Sequence, residues 1–302
     1  MNKLLLALLL FLLSFSWIKV TASDSCPESF PWKAQWINTE RCQSATNTWL
    51  IYRKSFAVTD VPNQLIARIA ADSKYWLWIN DQLVIFEGGL KRGPSPSGTY
   101  YDPVDIAPYL TKGSNTIAIL LWHFGKDGFS HINSGKAALL FEAIAPGLEI
   151  VSDASWQCAL YEAYQNTEAP FPNYRMPESN IRFDARQAIT NWNRTSSKVL
   201  PGAVCVGKAG KAPFGDLVER PIPQWKNSGL LSYVSVRESL RGDTLFCRLP
   251  YNAQITPYLK VEAEAGKTIH IRMDNYEEEA SATYVPNISP VRVSRNTKAM
   301  AG

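Results

Sequence analysis

Residues 75–86 read Tyr75-Trp76-Leu77-Trp78-Ile79-Asn80-Asp81-Gln82-Leu83-Val84-Ile85-Phe86. Aromatic and β-branched residues flank an Asn-Asp-Gln break, which is typical of two antiparallel strands joined by a tight turn. Because side chains alternate between the two faces of a strand, Tyr75, Leu77 and Ile79 share one face, and Trp76 and Trp78 share the other. Both faces are apolar, so we expect a strand that is covered twice: by an opposing sheet, and by a second domain, a loop or a ligand.

A long loop and then a core strand are predicted after this hairpin. Residues 88–102 are rich in Gly and Pro. That composition disfavours a strand ladder and indicates a loop of the kind that often carries function. Residues 112–115 (Lys-Gly-Ser-Asn) predict a turn, and the apolar run 116–122 predicts a core strand.

Short motifs in this region occur in the order found in a known family. They are Trp78-Ile79-Asn80, Tyr101-Asp102, residues 110–115 (Leu-Thr-Lys-Gly-Ser-Asn) and Leu121-Trp122. In this order they resemble the galactose-binding-like β-sandwich modules at the N-termini of α-L-rhamnosidases and related glycoside hydrolases. Asp81 replaces the family's usual Gly at the turn, a tolerable change because Asp accepts positive φ angles.

The resemblance extends over residues 34–284. It is carried by Ala34 to Ile37, Arg53 to Phe56, Asp153 to Trp156, Phe183 to Arg186, and residues 213–223. Trp36 and Phe56 are predicted to be core residues, because buried aromatic side chains dominate such cores. Residues 165–180, with three prolines, indicate an irregular insertion. A second set of strands is predicted from residue 230, at 244–249, 258–265 and 268–273, the last two joined at Gly266-Lys267.

The resemblance implies an all-β fold, with a galactose-binding-like jelly-roll β-sandwich followed by a second, incomplete β-sandwich. We expect the first sandwich, with its insertion, to span residues 27–215 and the truncated second one to span 216–284. Residues 285–302 turn basic and lose alternation, which predicts an unstructured tail.

Residues 1–22 have the pattern of a secretory signal peptide. Lys3 precedes an unbroken apolar run from Leu4 to Leu13, and Val-Thr-Ala at 20–22 is a small-residue cleavage pattern. The run is too short to cross a bilayer. We therefore predict cleavage after Ala22, export to the periplasm or the extracellular space, and no membrane span after cleavage. An uncleaved anchor is the alternative.

Composition narrows the choice of partners. Removal of Lys3 and Lys19 with the predicted signal peptide reduces the formal net charge from +4 to +2, which is too small to indicate nucleic acid, so we expect no nucleic-acid partner. Aromatic residues make up 12% of the chain and charged residues only 19%, which suits a β protein that meets sugars.

The five cysteines are far apart in the sequence and include no Cys-x-x-Cys pair. This spacing argues against a structural zinc site. An oxidising compartment would allow one or two disulfides. The pairs that stay within one predicted domain are Cys26 with Cys42 and Cys158 with Cys205. Cys247 is the fifth cysteine, and an odd number leaves at least one thiol unpaired within the chain.

The resemblance implies inverting hydrolysis of terminal α-L-rhamnosyl bonds by a carboxylic acid and a carboxylate held on a helical toroid. The toroid's acidic stretch, of the type Asp-x-x-x-Asp-Cys-Pro-x-Arg-Glu, has no match in this sequence, and no long amphipathic helical periodicity occurs. We therefore predict that the chain alone is inactive, with no catalytic residue, no metal site and no cofactor. Asp102 is expected to make structural hydrogen bonds, and His123, His131 and His270 lack metal-ligand spacing.

Carbohydrate binding is better supported than catalysis. Sugars present C–H faces that pack on aromatic rings and hydroxyls that hydrogen-bond to charged groups. The candidate carbohydrate-binding residues are Lys91, Arg92, Tyr100, Tyr101, Asp102, Trp122 and His123. The alternative for the tryptophans at 76, 78 and 122 is packing between domains. A plant or microbial glycan is the candidate partner, and the sequence does not predict an oligomeric state.

Three functions fit these observations. The first is the non-catalytic N-terminal carbohydrate-binding or support portion of a secreted α-L-rhamnosidase-like glycoside hydrolase that lacks its toroid. The second is a free-standing carbohydrate-binding or adhesion protein. The third is an unrecognised enzyme acting through the Asp102 region.

Overall fold

The structure, a computed structural model, describes residues 31–89, 97–129, 131–167, 178–225, 229–251, 255–258, 263–272, 281–285 and 298–301. Of residues 255–258, 281–283 and 298–301 it describes the backbone alone. Regular structure in this part of the chain is almost entirely strand, with short 3-10 helices at Ala107–Tyr109 and Ala185–Gln187. The predicted all-β class is confirmed.

The strands are β1 (Gln35–Asn38), β2 (Thr48–Val58), β3 (Ile66–Asp72), β4 (Lys74–Ile79), β5 (Gln82–Gly88), β6 (Gly98–Asp105), β7 (Gly113–His123), β8 (Ala138–Ala145), β9 (Leu148–Val151), β10 (Gln157–Leu160), β11 (Tyr164–Asn166), β12 (Ile181–Asp184), β13 (Val204–Lys208), β14 (Asp216–Glu219), β15 (Leu230–Ser232), β16 (Ser235–Glu238), β17 (Leu245–Arg248), β18 (Ile255–Tyr258), β19 (Ile269–Arg272), β20 (Ser281–Val285) and β21 (Lys298–Ala301).

Two large sheets form a β-sandwich. One has the order β13-β1-β8-β3-β6-β14, with β9 paired to β8, and the other has the order β10-β2-β7-β4-β5. Apolar side chains from both sheets meet in one core cluster, whose large, fully buried members include Tyr52, Tyr75, Phe141 and Trp156. The arrangement agrees with the predicted galactose-binding-like jelly roll.

The predicted hairpin at residues 75–86 is present as β4 and β5. Asn80 and Asp81 form its two-residue loop with φ angles of 47° and 69°, which match the strand twist that such loops require. The Asn80 side chain fixes the turn. Its Oδ1 accepts a 2.9 Å hydrogen bond from the backbone N–H of Thr116, and its Nδ2 donates at 2.7 Å to Oδ1 of Asn115. The Ile-Asn and Gly-x-Asn motifs are therefore two halves of one hydrogen-bond network.

Both faces of β4 are covered, as the apolar pattern predicts. Tyr75 and Leu77 lie in the main core without exposed surface. Trp76 and Trp78 lie half-buried on the other face, where Trp192 packs edge-on against Trp78 with ring centroids 5.3 Å apart. The cover on this face is a later part of the same chain.

This covering part, residues 161–200 as far as they are described, is called the cover segment below. A second apolar cluster lies on the outer face of the five-stranded sheet. Most of its members that do not belong to that sheet come from the cover segment, including Tyr161, Phe183, Trp192 and Leu200. The predicted insertion at 165–180 falls mostly on residues 168–177, which lie outside the described residues.

The outer face of the other sheet is also covered. Trp36 of β1 is fully buried and stacks on Phe214, with ring centroids 4.0 Å apart and planes inclined by 17°. Phe214 comes from the loop between β13 and β14. The prediction that Trp36 is a core residue is confirmed, and Phe56 is half-buried against the main core.

Both ends of the loop predicted at 88–102 lie in strands, Gly88 in β5 and residues 98–102 in β6. Strand β6 already begins at Gly98, so Tyr100, Tyr101 and Asp102 lie on a strand rather than in a loop. Residues 98–101 pair in parallel with β14, and residues 102–105 pair with β3 on the other side. Hydrogen bonds to distant strands thus overcome the loop-forming composition. Residues 90–96, which include Lys91 and Arg92, lie outside the described residues.

Three smaller sheets follow the sandwich strands: β11-β12-β20-β19, β15-β21-β18 and β16-β17. The predicted strands at 244–249 and 268–273 correspond to β17 and β19. The strand predicted at 258–265 is instead a strand at Ile255–Tyr258, and residues 263–265 are not in a strand. Gly266 lies in a turn, but the hairpin predicted at Gly266-Lys267 is wrong for the described residues: β19 pairs with β20, and β18 pairs with β21 in another sheet.

Two strands lie beyond the domain boundaries predicted from the sequence. Strand β14, which begins at residue 216, pairs with β6 and so extends the first sandwich by four residues. Within the predicted unstructured tail, Lys298–Ala301 is a strand that pairs with β15 and β18. The division into two sandwiches at 215 and 284 otherwise stays a prediction.

Among the described residues, Cys42, Cys158 and Cys205 are free thiols. The Cys158–Cys205 pair, which the sequence left possible, is not formed: Cys158 lies in the main core, while Cys205 is exposed on β13. Cys26 lies outside the described residues. In the part of the chain with described structure, no helix has the length and apolar character needed to cross a membrane.

Candidate functional site

The candidate site lies at one end of the sandwich, where β4 begins and β5 and β7 end. Lys74 pairs with Trp122, and Tyr75 pairs with Gly88, so three strand ends meet there. Three clusters of polar side chains occupy this end. They centre on Asp102, on Asp72 and on Lys74.

Asp102 is 1% exposed and anchors several strands. Its Oδ2 accepts hydrogen bonds from the Tyr75 hydroxyl at 2.7 Å and from the backbone N–H of Gly89 at 3.0 Å. Its Oδ1 forms an ion pair with Nε of Arg220 at 2.8 Å. Burial and the negative charge of Asp102 raise the pKa of Tyr75 well above its usual value, which keeps the hydroxyl protonated as a donor. We therefore assign Asp102 to the support of the fold, as the sequence interpretation expected.

Gly89 is required at its position by this cluster. Its φ is +85°, and a Cβ placed there would lie 2.5 Å from the carbonyl oxygen of Ser73. Only glycine combines the positive φ with so close an approach of two backbones. The N–H that binds Asp102 thus depends on the absence of a side chain.

Asp72 organises the second cluster. The buried His123 places Nδ1 3.2 Å from Asp72 Oδ1, and Oδ2 accepts a 2.9 Å hydrogen bond from the backbone N–H of Ser134. The Ser73 hydroxyl donates to Oδ1 at 2.8 Å. Burial opposes ionisation of Asp72, but these hydrogen bonds and the interaction with His123 outweigh it and lower the pKa to about 2.

His123 and its neighbour His131 are both buried. His123 is 0% exposed, so its side chain cannot contact a glycan directly. His131 is also buried, and its Nε2 lies 3.4 Å from the Ser73 hydroxyl. Burial lowers the pKa of His131, although the carboxylate of Asp72 acts in the opposite direction. Both histidines therefore belong to the interior of the sandwich end.

Lys74 joins charged and aromatic groups in the third cluster. Its Nζ lies 3.2 Å from Oε2 of Glu87 and 3.9 Å from Oε1 of Glu178. The same Nζ lies 5.8 Å from the ring centroid of Trp122 and 6.0 Å from that of Phe124, within reach of cation–π attraction. Sequence reasoning missed Lys74 and Glu178, because a lysine before an aromatic strand is usually solvated and Glu178 follows an irregular segment.

Trp122 is half-buried and held in place on several sides. Its Nε1 donates a 2.7 Å hydrogen bond to Oδ1 of Asn47, and its ring stacks on Trp49 with centroids 4.6 Å apart. Trp49 in turn stacks on Tyr164 of the cover segment at 3.8 Å. Trp122 is therefore packed against other residues of this chain, with Lys74 beside its ring, and its packing between domains stays a prediction.

The two tyrosines of the predicted patch lie on β6 and point to opposite faces. Tyr101 is half-buried in the outer cluster of its sheet, with its hydroxyl 3.4 Å from Oε2 of Glu219 and its ring against Trp32. Trp122 belongs to the outer cluster of the other sheet. The structure thus divides the predicted patch, and Tyr101 and Trp122 do not share a surface.

The polar groups of this end are arranged for mutual support. Glu87 and Glu178 both form ion pairs with Lys74. A glycosidase instead places its two carboxyl groups on either side of the bond that it cleaves. In the part of the chain with described side chains, no group of three or more His, Cys, Asp or Glu could hold a metal ion. A ligand at this end of the sandwich would meet the half-buried indole of Trp122 beside the charged groups of Lys74 and Glu87.

The fold matches solved structures of rhamnosidases. The GH78 family rhamnosidase of Bacillus sp. GL1 aligns with a TM-score of 0.60 at 29% identity, over 69% of this chain and 22% of that chain. The α-L-rhamnosidase from Dictyoglumus thermophilum aligns with a TM-score of 0.62 at 16% identity, over 90% of this chain and 34% of that chain. The α-L-rhamnosidase from Aspergillus terreus aligns with a TM-score of 0.62 at 17% identity, over 88% of this chain and 32% of that chain.

These similarities confirm the resemblance to the β-domain region of α-L-rhamnosidases. The chain spans at most 34% of the length of these enzymes. No family model and no curated protein sequence matches it.

Proposed function

We propose that these residues form the non-catalytic β-sandwich portion of an exported, α-L-rhamnosidase-like glycoside hydrolase, with a carbohydrate-binding or supporting role. One observation carries the proposal: the match includes 88–90% of this chain but only 32–34% of two rhamnosidases. The acidic stretch expected of the catalytic toroid is also missing from the 302 residues.

The sandwich end supports a sugar-facing role. The half-buried Trp122 lies beside Lys74, which contacts Glu87 and Glu178, so an aromatic ring and hydrogen-bonding groups lie close together. Pyranose rings bind to such surfaces through C–H faces and hydroxyls. Lys91 and Arg92, which lie outside the described residues, and Tyr100 of β6 complete the proposed contacts.

A specific observation favours the alternative, a free-standing carbohydrate-binding or adhesion protein. The aromatic outer faces of both sheets are covered by the chain's own later segments, through Trp192 on one side and Phe214 on the other. The contacts of Trp78 with Trp192 and of Trp36 with Phe214 are therefore made within this chain.

Activity and binding assays test the main proposal. The purified chain is expected to release no product from an aryl α-L-rhamnoside, with a full-length rhamnosidase as the positive control. Release that disappears in a folded Asp102→Asn variant would overturn the non-catalytic assignment. On a glycan array, the Lys91→Ala, Arg92→Ala, Tyr100→Ala triple variant is expected to lose binding that the unchanged chain shows. Array binding that persists in the triple variant would exclude these contacts.

A further inference from the structure

Asn47 immediately precedes β2 and lies against the end of β7. Its backbone N–H donates a 3.0 Å hydrogen bond to the carbonyl oxygen of Phe124. The adjoining residues approach just as closely, since a Cβ placed on Gly125 would lie 2.6 Å from the Cα of Thr46. The backbone of Asn47 is thus fixed to the segment that follows Trp122.

The Asn47 side chain accepts hydrogen bonds from two tryptophans. Its Oδ1 lies 2.7 Å from Nε1 of Trp122 and 3.0 Å from Nε1 of Trp49. An indole has a single N–H, which donates and cannot accept. Both tryptophans therefore use their only hydrogen-bonding group on one oxygen atom.

This shared acceptor restricts the rings more than stacking does. Trp49 and Trp122 are directly opposite each other on β2 and β7, and their rings stack with centroids 4.6 Å apart and planes inclined by 14°. Stacking favours parallel, offset rings but allows one ring to slide or turn over the other. A hydrogen bond is directional, so neither indole can turn without weakening its bond to Asn47.

The bound N–H also determines what Trp122 can give a ligand. Because its donor is already used at 2.7 Å, a ligand can contact only the carbon surface of this indole. Hydrogen bonds to the ligand must come from neighbours such as Lys74, whose Nζ lies 5.8 Å from the ring centroid of Trp122 and 3.2 Å from Glu87. A sugar with an apolar C–H face and a nearby hydroxyl matches this combination.

The backbone conformation explains why an asparagine stands at this position. The φ angle of Asn47 is 59°, in the left-handed region that Gly, Asn and Asp adopt readily. Glycine would accept this φ angle but would provide no acceptor for the indoles. Asparagine provides both in a residue that is only 6% exposed.

We propose that Asn47 is a positioning residue for carbohydrate binding, because its side-chain oxygen fixes the orientation of the Trp122 indole beside Lys74. The inference rests on the proposed carbohydrate-binding function and adds to it a residue that is not among the candidates drawn from the sequence. Asn47 acts through Trp122 and does not itself contact the sugar.

The test uses Asn47→Gly in the full chain, which removes the acceptor and keeps the positive φ angle without strain. In NMR spectra the indole N–H signals of Trp49 and Trp122, assigned with Trp→Phe variants, are expected to shift and to exchange faster with deuterated water. Affinity for methyl α-L-rhamnoside, and for any glycan bound on the array, is expected to fall about tenfold. In a Trp122→Phe background, where no N–H remains to be oriented, Asn47→Gly should cause no further loss of affinity.

Asn191→Gly is the matched control, because Asn191 also has a positive φ angle, 56°, but is exposed. It should change neither the indole signals nor the affinity, and thermal unfolding checks that every variant is folded. Unmoved indole signals in Asn47→Gly, unchanged affinity, or an equal loss in the Trp122→Phe background would overturn the positioning role and leave the proposed function intact. Failure of the unchanged chain to bind the rhamnoside or any array glycan would overturn both.

Discussion

The Tyr75 hydroxyl donates a 2.7 Å hydrogen bond to Asp102, joining the five-stranded sheet to the seven-stranded sheet through the core. Arg220 extends this link to the end of β14 by its ion pair with Asp102 and by a 3.0 Å hydrogen bond from its backbone N–H to the Tyr101 carbonyl. The carboxylate thus holds together segments that are far apart in the sequence.

Asp102→Asn is expected to lower the free energy of unfolding by about 3–5 kcal/mol, because it leaves the charge of Arg220 buried without a counter-charge. Urea unfolding measures the change. Asp60→Asn is the control: Asp60 is exposed and lies 3.9 Å from the equally exposed Lys112, so its loss should cost less than about 1 kcal/mol. Equal effects of the two substitutions would contradict the assigned role of Asp102.

Glycine substitutions separate backbone strain from steric overlap. Gly215→Ala combines a φ of +70° with overlap on the Ser97 carbonyl and should abolish or severely impair folding. Gly113→Ala has a φ of +97° but open space, so we expect a loss of about 1 kcal/mol. Gly202→Ala has neither problem and is expected to be neutral. Thermal unfolding gives the order, and a Gly113 effect as large as that of Gly215 would refute the argument.

Acid should destabilise the protein in two separate pH windows. The folded state depresses the pKa of His131 below 6.5, so stability is lost as pH falls below 6.5, where the unfolded chain takes up a proton first. The folded state lowers the pKa of Asp72 from 3.8 to about 2, so a further loss of about 2 kcal/mol follows between these values.

Urea unfolding at a series of pH values measures both losses. His131→Gln should remove the upper step, and Asp72→Asn should remove the lower one. His270→Gln, at an exposed position on β19, should leave both in place. A pH profile that His131→Gln does not alter would rule out the upper step.

Hydrogen exchange should distinguish the sandwich from the β16–β17 ribbon. Val236 and Phe246 are 45% and 49% exposed, and a two-stranded ribbon without a packed face is marginally stable. Amides at 235–248 are therefore expected to exchange orders of magnitude faster than those of β2 and β7. Equal protection of the two regions would show that the ribbon is packed in solution.

Local patterns made much of the sandwich predictable from sequence. The hairpin follows from alternation and from Asn80 and Asp81, whose side chains tolerate positive φ. The double cover of β4 follows from its two apolar faces. The identity of the cover does not, because Trp192 is distant in sequence and no local pattern connects it with Trp78.

Contacts between distant segments account for the rest. The parallel pairing of β6 with β14 turns residues 98–102 into a strand, although Gly and Pro next to them favour a loop. The structural role of Asp102 was predictable, but its partner Arg220 was not. Lys74 was missed because burial beside two carboxylates depends on tertiary packing alone.

The pairing of β1 with β13 sets the order in which the chain can fold. Ile37 pairs with Leu139 on one side and with Cys205 on the other, and β14 of the same sheet ends at Glu219, so the sheet cannot be completed until residue 219 has been synthesised. Until then the indole of Trp36 lacks Phe214, its stacking partner. Such long-range closure slows folding and prolongs the exposure of apolar surface to aggregation. Synthesis at a reduced temperature, or with a holdase chaperone present, should therefore raise the soluble yield.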